Sequence, residues 1–69
     1  MTQLQLTING ESKVFDSPMT ALTLLEALQL DARKIALEHN RNIVSPSSFD
    51  KTALADGDIL EIVHFIGGG

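Results

Sequence analysis

Asn9-Gly10 follows directly on the strictly alternating run Gln3 to Ile8 (QLQLTI), and this junction limits the possible folds more than any other feature of the chain. Leu4, Leu6 and Ile8 share one face of an extended segment and Gln3, Gln5 and Thr7 share the other, the pattern of a half-buried strand. An Asn-Gly loop supplies the two positive-φ positions of a type I′ turn, whose twist matches that of the flanking strands. The chain must therefore double back at once. ESKVF (Glu11 to Phe15) is expected to return antiparallel, with Val14 in the core.

After the loop DSPMT (Asp16 to Thr20), the stretch ALTLLEALQL (Ala21 to Leu30) carries Ala21, Leu24, Leu25 and Leu28 at i, i+3, i+4 and i+7. That spacing predicts a helix of about three turns with one apolar face, widened by Leu22. Thr20 is a suitable N-cap. Thr23, rather than Glu or Gln, stands at the third helical position, so the capping box is expected to be incomplete. IALEHN (Ile35 to Asn40) and NIV (Asn42 to Val44) read as short strands around a tight polar turn. SPSSFD (Ser45 to Asp50) reads as a loop or one 3₁₀ turn broken by Pro46. LADGD (Leu54 to Asp58) is a second strong turn signal, and ILEIVHFI (Ile59 to Ile66) leaves it as the last and longest strand.

The resulting order, β-β-α-β-β-β, predicts an α+β fold. It is similar to the β-grasp (ubiquitin-like) order: a mixed sheet of four to five strands with one main helix packed across it. That fold places the last strand beside the first, with Leu60 and Ile62 next to Leu4 and Leu6. Residues 1–66 would form the domain and 67–69 a flexible tail.

Composition narrows the function. The chain has 69 residues, room for one small domain. Its apolar content is aliphatic, with ten Leu, six Ile and three Val against three Phe. Without Cys it has no disulfides, iron–sulfur ligands or thiol chemistry. The net charge of −4 and the scattered bases argue against nucleic-acid binding. No apolar run approaches the length of a membrane span and no signal peptide opens the chain, so a soluble cytoplasmic protein is expected; separately, the chain is expected to be a monomer when free. His39 and His64 stand apart from any metal-ligand cluster and read as ordinary strand histidines. Asp56-Gly57-Asp58 reads as a turn rather than a calcium loop, which needs a longer ligand run ending in Glu. No acid, base and nucleophile constellation suggests an enzyme.

The chain ends on EIVHFIGGG (Glu61 to Gly69). If Leu60, Ile62, His64 and Ile66 face the core, Val63 and Phe65 are exposed beside the tail and suit a protein-binding patch; if both faces are covered there, they are core. Gly67, Gly68 and Gly69 are either a loose end or the working part. In the second case the chemistry is specific. A carboxylate is a poor electrophile, and adenylation by ATP converts it to a carbonyl with a good leaving group. Glycines have no side chain to stop the backbone threading a narrow channel, and three extended residues reach about 10 Å beyond the sheet.

With LADGDILEIVHFIGGG at its end and IALEHNRNIV in its middle, the sequence resembles the sulfur carrier (ThiS) family of thiamine biosynthesis over essentially its whole length. The most specific parts are Asp56-Gly57-Asp58, Glu61-Ile62-Val63 and the terminal glycines. The resemblance implies a protein co-substrate rather than an enzyme. Gly69 would be adenylated by an E1-like adenylyltransferase (ThiF type) using ATP, with no cofactor bound to the carrier itself. It would then become a thiocarboxylate with sulfur traceable to a cysteine desulfurase, and pass that sulfur to thiazole synthase (ThiG type). Gly68 and Gly67 would thread the partner's channel, and Val63, Phe65 and Ile66 would form the partner-binding patch. The chain departs from the family in having Asn40-Arg41-Asn42 where many members place a Gly, and Pro46 one residue late. A molybdopterin synthase small subunit, a ubiquitin-like modifier and a β-grasp protein-binding module without tail chemistry are the alternatives.

Overall fold

The computed structural model describes residues 2–65. Strands β1 (Gln3–Ile8) and β2 (Glu11–Asp16) are followed by helix α1 (Ala21–Ala27). A 3₁₀ turn (Ala32–Lys34) then leads into β3 (Ile35–His39) and β4 (Asn42–Val44), and a second one (Pro46–Lys51) leads to β5 (Ile59–His64). The sheet has five strands in the order β2-β1-β5-β3-β4. This is the β-grasp arrangement, with the last strand in the middle. β5 runs parallel to β1 and antiparallel to β3, and its six residues equal rather than exceed the lengths of β1 and β2.

The first hairpin forms as the Asn-Gly signal requires, with Asn9 at φ 50° and Gly10 at φ 84°. Its register corrects one expectation. A two-residue turn pairs Ile8 with Glu11, and therefore Leu4 with Phe15 and Gln5 with Val14. Directly opposite residues share a face, so Phe15 lies on the leucine side, packed against the core, and Val14 stands on the other side, exposed. The β1–β5 register also differs from the expected one. Leu60 sits opposite Ile8 rather than beside Leu4 or Leu6, so β5 runs on past the end of β1.

Helix α1 is shorter than its apolar pattern. Thr20 caps it, accepting the Thr23 N–H at 3.2 Å, and the Thr23 hydroxyl takes up the Thr20 N–H at 2.8 Å. The capping box is thus complete, because a hydroxyl serves where Glu or Gln usually does. At the other end Leu30 N–H donates to Leu25 O and Gln29 N–H to Glu26 O, with Gln29 at φ 60°. That is a Schellman ending, with Leu28 at the cap and a glutamine in the left-handed position that glycine normally fills.

The core lies between the helix and one sheet face. Leu6, Leu24, Leu25 and Leu60 have no solvent exposure, and Ile35, Leu37 and Phe49 have almost none. Phe49 comes from the second 3₁₀ turn, which Pro46 opens at its first position rather than breaks. The segment after it runs beside the helix start, with Ala21 N–H bonded to Thr52 O and Leu54 N–H to Met19 O. Among the described residues no helix is long and apolar enough to cross a membrane.

The β3–β4 turn places Asn40 at φ 48° and Arg41 at φ 71°. Arg41 therefore pays for a conformation that glycine adopts freely, which explains why a glycine suits this turn. Replacing Gln29 or Arg41 by Gly should each stabilise the domain by about 0.5–1 kcal/mol, read as a higher urea midpoint at unchanged m-value.

Candidate functional site

The route to the glycine tail runs along β5, the strand held on both sides. Toward β3, Asn40 N–H donates to Ile59 O at 2.8 Å and Phe65 N–H to Lys34 O at 2.8 Å. Toward β1, Thr7 N–H donates to Asp58 O at 3.0 Å and Asn9 N–H to Leu60 O at 2.9 Å. There β1 turns away, and the next backbone pair of β5 would lack a neighbour. The side chain of Asn9 fills the gap. Its Oδ1 accepts the Ile62 N–H at 2.7 Å and its Nδ2 donates to Ile62 O at 3.1 Å. An amide side chain carries one acceptor and two donors, so it imitates one more residue of β1. The sequence marks Asn9 as a turn former, and nothing in the local pattern reveals this second task.

The Asp56-Gly57-Asp58 turn fixes the other end of β5. Asp56 Oδ1 accepts the Gln5 N–H at 2.7 Å, and Gly57 N–H, at φ 90°, donates to Gln5 O at 2.7 Å. Asp58 Oδ2 accepts the Ala55 N–H at 2.8 Å and contacts His39 Nε2 at 2.7 Å, while Oδ1 accepts from Asn40 Nδ2 at 3.0 Å. Asn40 Oδ1 in turn accepts the Ile59 N–H at 2.9 Å. Both carboxylates are thus committed to the turn and its neighbours, and no metal-binding cluster occurs among the described residues. His39 and Asp58 are the half-buried members of this network. His64, expected on the core side, is exposed beyond the core's edge.

The sheet face away from the helix is open. Val63 and Phe65 lie on it 60% and 62% exposed, as the alternation of β5 predicts, and Ile43 on β4 is 83% exposed. Ile43 was not among the expected patch residues; a three-residue strand gives too little alternation to assign its face. Ile66, Gly67, Gly68 and Gly69 fall outside the described residues.

This domain is similar to known proteins over nearly its whole length. Residues 3–69 match the family model described as "ThiS family". A thiazole synthase of Paramagnetospirillum magneticum is 52% identical over 66 residues, 96% of this chain, and the sulfur carrier protein ThiS of Bacillus subtilis is 38% identical over 50 residues, covering 72% of this chain and 76% of that protein. The crystal structure of the thiamine biosynthesis protein ThiS from Geobacter metallireducens superposes with a TM-score of 0.82 at 33% identity, covering 96% of this chain and 100% of that one. The chain spans only 20% of the length of the thiazole synthases it matches.

Asn9→Gly keeps the positive φ of the turn but removes both bonds to Ile62. It should destabilise the domain by about 1–3 kcal/mol and speed amide exchange at Ile62. Burial is the largest single influence on Asp58 and pushes its carboxyl up, but the bonds from His39, Ala55 and Asn40 together outweigh it and hold it below the ordinary 3.8. A depressed carboxylate stabilises the fold above its unfolded value, and that contribution fades as pH falls through the folded value. Wild-type stability should therefore drop below about pH 4 more steeply than that of Asp58→Asn, measured by urea unfolding from pH 7 to pH 2. On fold and sequence alike, the chain belongs to the ThiS family.

Proposed function

We propose that the chain is a sulfur carrier for assembly of the thiamine thiazole, acting as a protein co-substrate and not as an enzyme. The observation that carries this reading is the family match, which runs through residue 69 and so includes the three glycines. The reaction follows from the chemistry of a carboxylate. An oxygen of the Gly69 carboxylate attacks the α-phosphorus of ATP in an E1-like adenylyltransferase, releasing pyrophosphate. Hydrosulfide then attacks the acyl carbon and expels AMP, leaving a thiocarboxylate; when its sulfur passes to the substrate of thiazole synthase, an oxygen from that substrate or from water takes its place and restores the Gly69 carboxylate. The occurrence of a domain like this one within proteins named thiazole synthase supports that choice of acceptor.

The fold suits the task. β5 is hydrogen-bonded on both sides up to Ile62 and on the β3 side to Phe65. The backbone is therefore held as far as Phe65, and on this reading Gly67 to Gly69 enter a channel that would reject side chains. Val63, Phe65 and Ile66 are the nearest apolar residues for a partner to grip.

The direct test is mass spectrometry of the C-terminal peptide after incubation with ATP, a sulfur donor and the adenylyltransferase of the same cell. Exchange of one oxygen for one sulfur, localised to Gly69, is expected. Deleting Gly69 should abolish it without unfolding the domain, and Gly68→Ala should slow adenylation roughly tenfold or more, since a methyl group must pass the channel wall. An unmodified peptide, with the enzyme active on a known carrier, would make this domain a β-grasp binding module instead.

A further inference from the structure

The large apolar side chains exposed among the described residues, Val14, Ile43, Ile59, Val63 and Phe65, share a single face, the one without the helix. Within that face two carboxylates stand directly opposite each other, Glu38 on β3 and Glu61 on β5. Ile43 is the cross-strand neighbour of Glu38 on its other side, and Ala36 with Val63 forms the adjacent pair along the ladder. These residues line one shallow depression. Among the described residues neither carboxylate has a cationic partner; the ion pairs present are Arg33–Asp31 and His39–Asp58.

Like charges on directly opposed strand positions destabilise a sheet, because their Cβ atoms lie only about 5 Å apart. The apolar surroundings worsen this by reducing the water that screens the pair. The fold gains nothing from the arrangement. A guanidinium does, because its planar fork of donors can reach two carboxylates at once, and its faces tolerate apolar contact better than an ammonium does.

We propose that the face between β4 and β5 docks a protein surface carrying an arginine within an apolar patch, with the guanidinium bridging Glu38 and Glu61 and with Ile43 and Val63 excluding water around it. Resting on the sulfur-carrier reading, the assignment commits to thiazole synthase as the partner. A domain like this one occurs within proteins named thiazole synthase, which favours that enzyme over the adenylyltransferase as the occupant, and Glu61 lies on β5, the strand that leads toward the glycines. The charges select the partner and orient it, and the apolar rim supplies the burial.

The test compares wild type, the Glu38→Gln/Glu61→Gln double variant and a Glu26→Gln control on the helix side. Melting temperature and calorimetric affinity for the thiazole synthase of the same organism are measured at low and at physiological salt. The double variant should melt about 2–5 °C higher, because the repulsion is gone, yet bind at least tenfold more weakly and with a flatter salt dependence. The control should change neither quantity. A merely structural role cannot raise stability and lower affinity together. Equal binding by wild type and double variant, or a lower melting temperature, overturns the docking assignment alone. Wild type that fails to bind the synthase overturns the assignment too, and its tail chemistry, read independently by mass spectrometry, then decides whether the carrier reading falls with it.

Discussion

The structure depends on β5 lying between β1 and β3. Without it the sheet separates into two hairpins, β1–β2 and β3–β4, linked only through the helix and the turns. A two-stranded hairpin is marginal at best in water. Leu60 and Ile62 bring β5's share of the core under the helix, and the bonds to Thr7, Asn9, Lys34 and Asn40 close the ladder on both sides. The strand that holds the domain together is also the one that leads, in sequence, to the glycines, so the placement of the chain up to Phe65 and the integrity of the fold are a single property.

Much of this architecture is legible in the sequence because local chemistry and global fold agree. Asn9-Gly10 predicts a hairpin, and the two positive φ values are there. The helix begins at Ala21 behind its Thr20 cap, and the alternation of β5 correctly puts Val63 and Phe65 on the open face. What escapes the sequence depends on register or on partners distant along the chain. Val14 is as good a core candidate as Phe15 until the two-residue turn is counted through pair by pair. Phe49 sits alone in a polar stretch, so periodicity gives no hint that it fills the core beneath the helix. The end of α1 falls short of its apolar stripe because a Schellman turn at Gln29 redirects Leu30 inward, and a glutamine there is a weak stop signal.

The site is less legible than the fold for the same reason. The exposure of Val63 and Phe65 can be read directly from the alternation of β5, while Gly67 to Gly69 lie outside the described residues. The bonds from Asn9 to Ile62 span 53 positions, and the opposition of Glu38 and Glu61 exists only once β3 and β5 are paired in register. Asp58 looks like a turn residue, and it is one. Its additional bonds to His39 and Asn40 tie the start of β5 to the neighbouring hairpin, a link no local pattern contains.

The parallel pairing of β1 with β5 has a mechanical consequence. The two strands point the same way, so a force drawing the outgoing end of β5 forward, against a domain held through β1, acts along their hydrogen bonds sideways and on all of them at once. Antiparallel neighbours pulled from adjacent ends would instead open one bond at a time. On the proposed function, a partner that hauls the glycines into a narrow channel pulls in the direction the sheet resists best, and the traction tightens the tail without peeling away the strand that carries it.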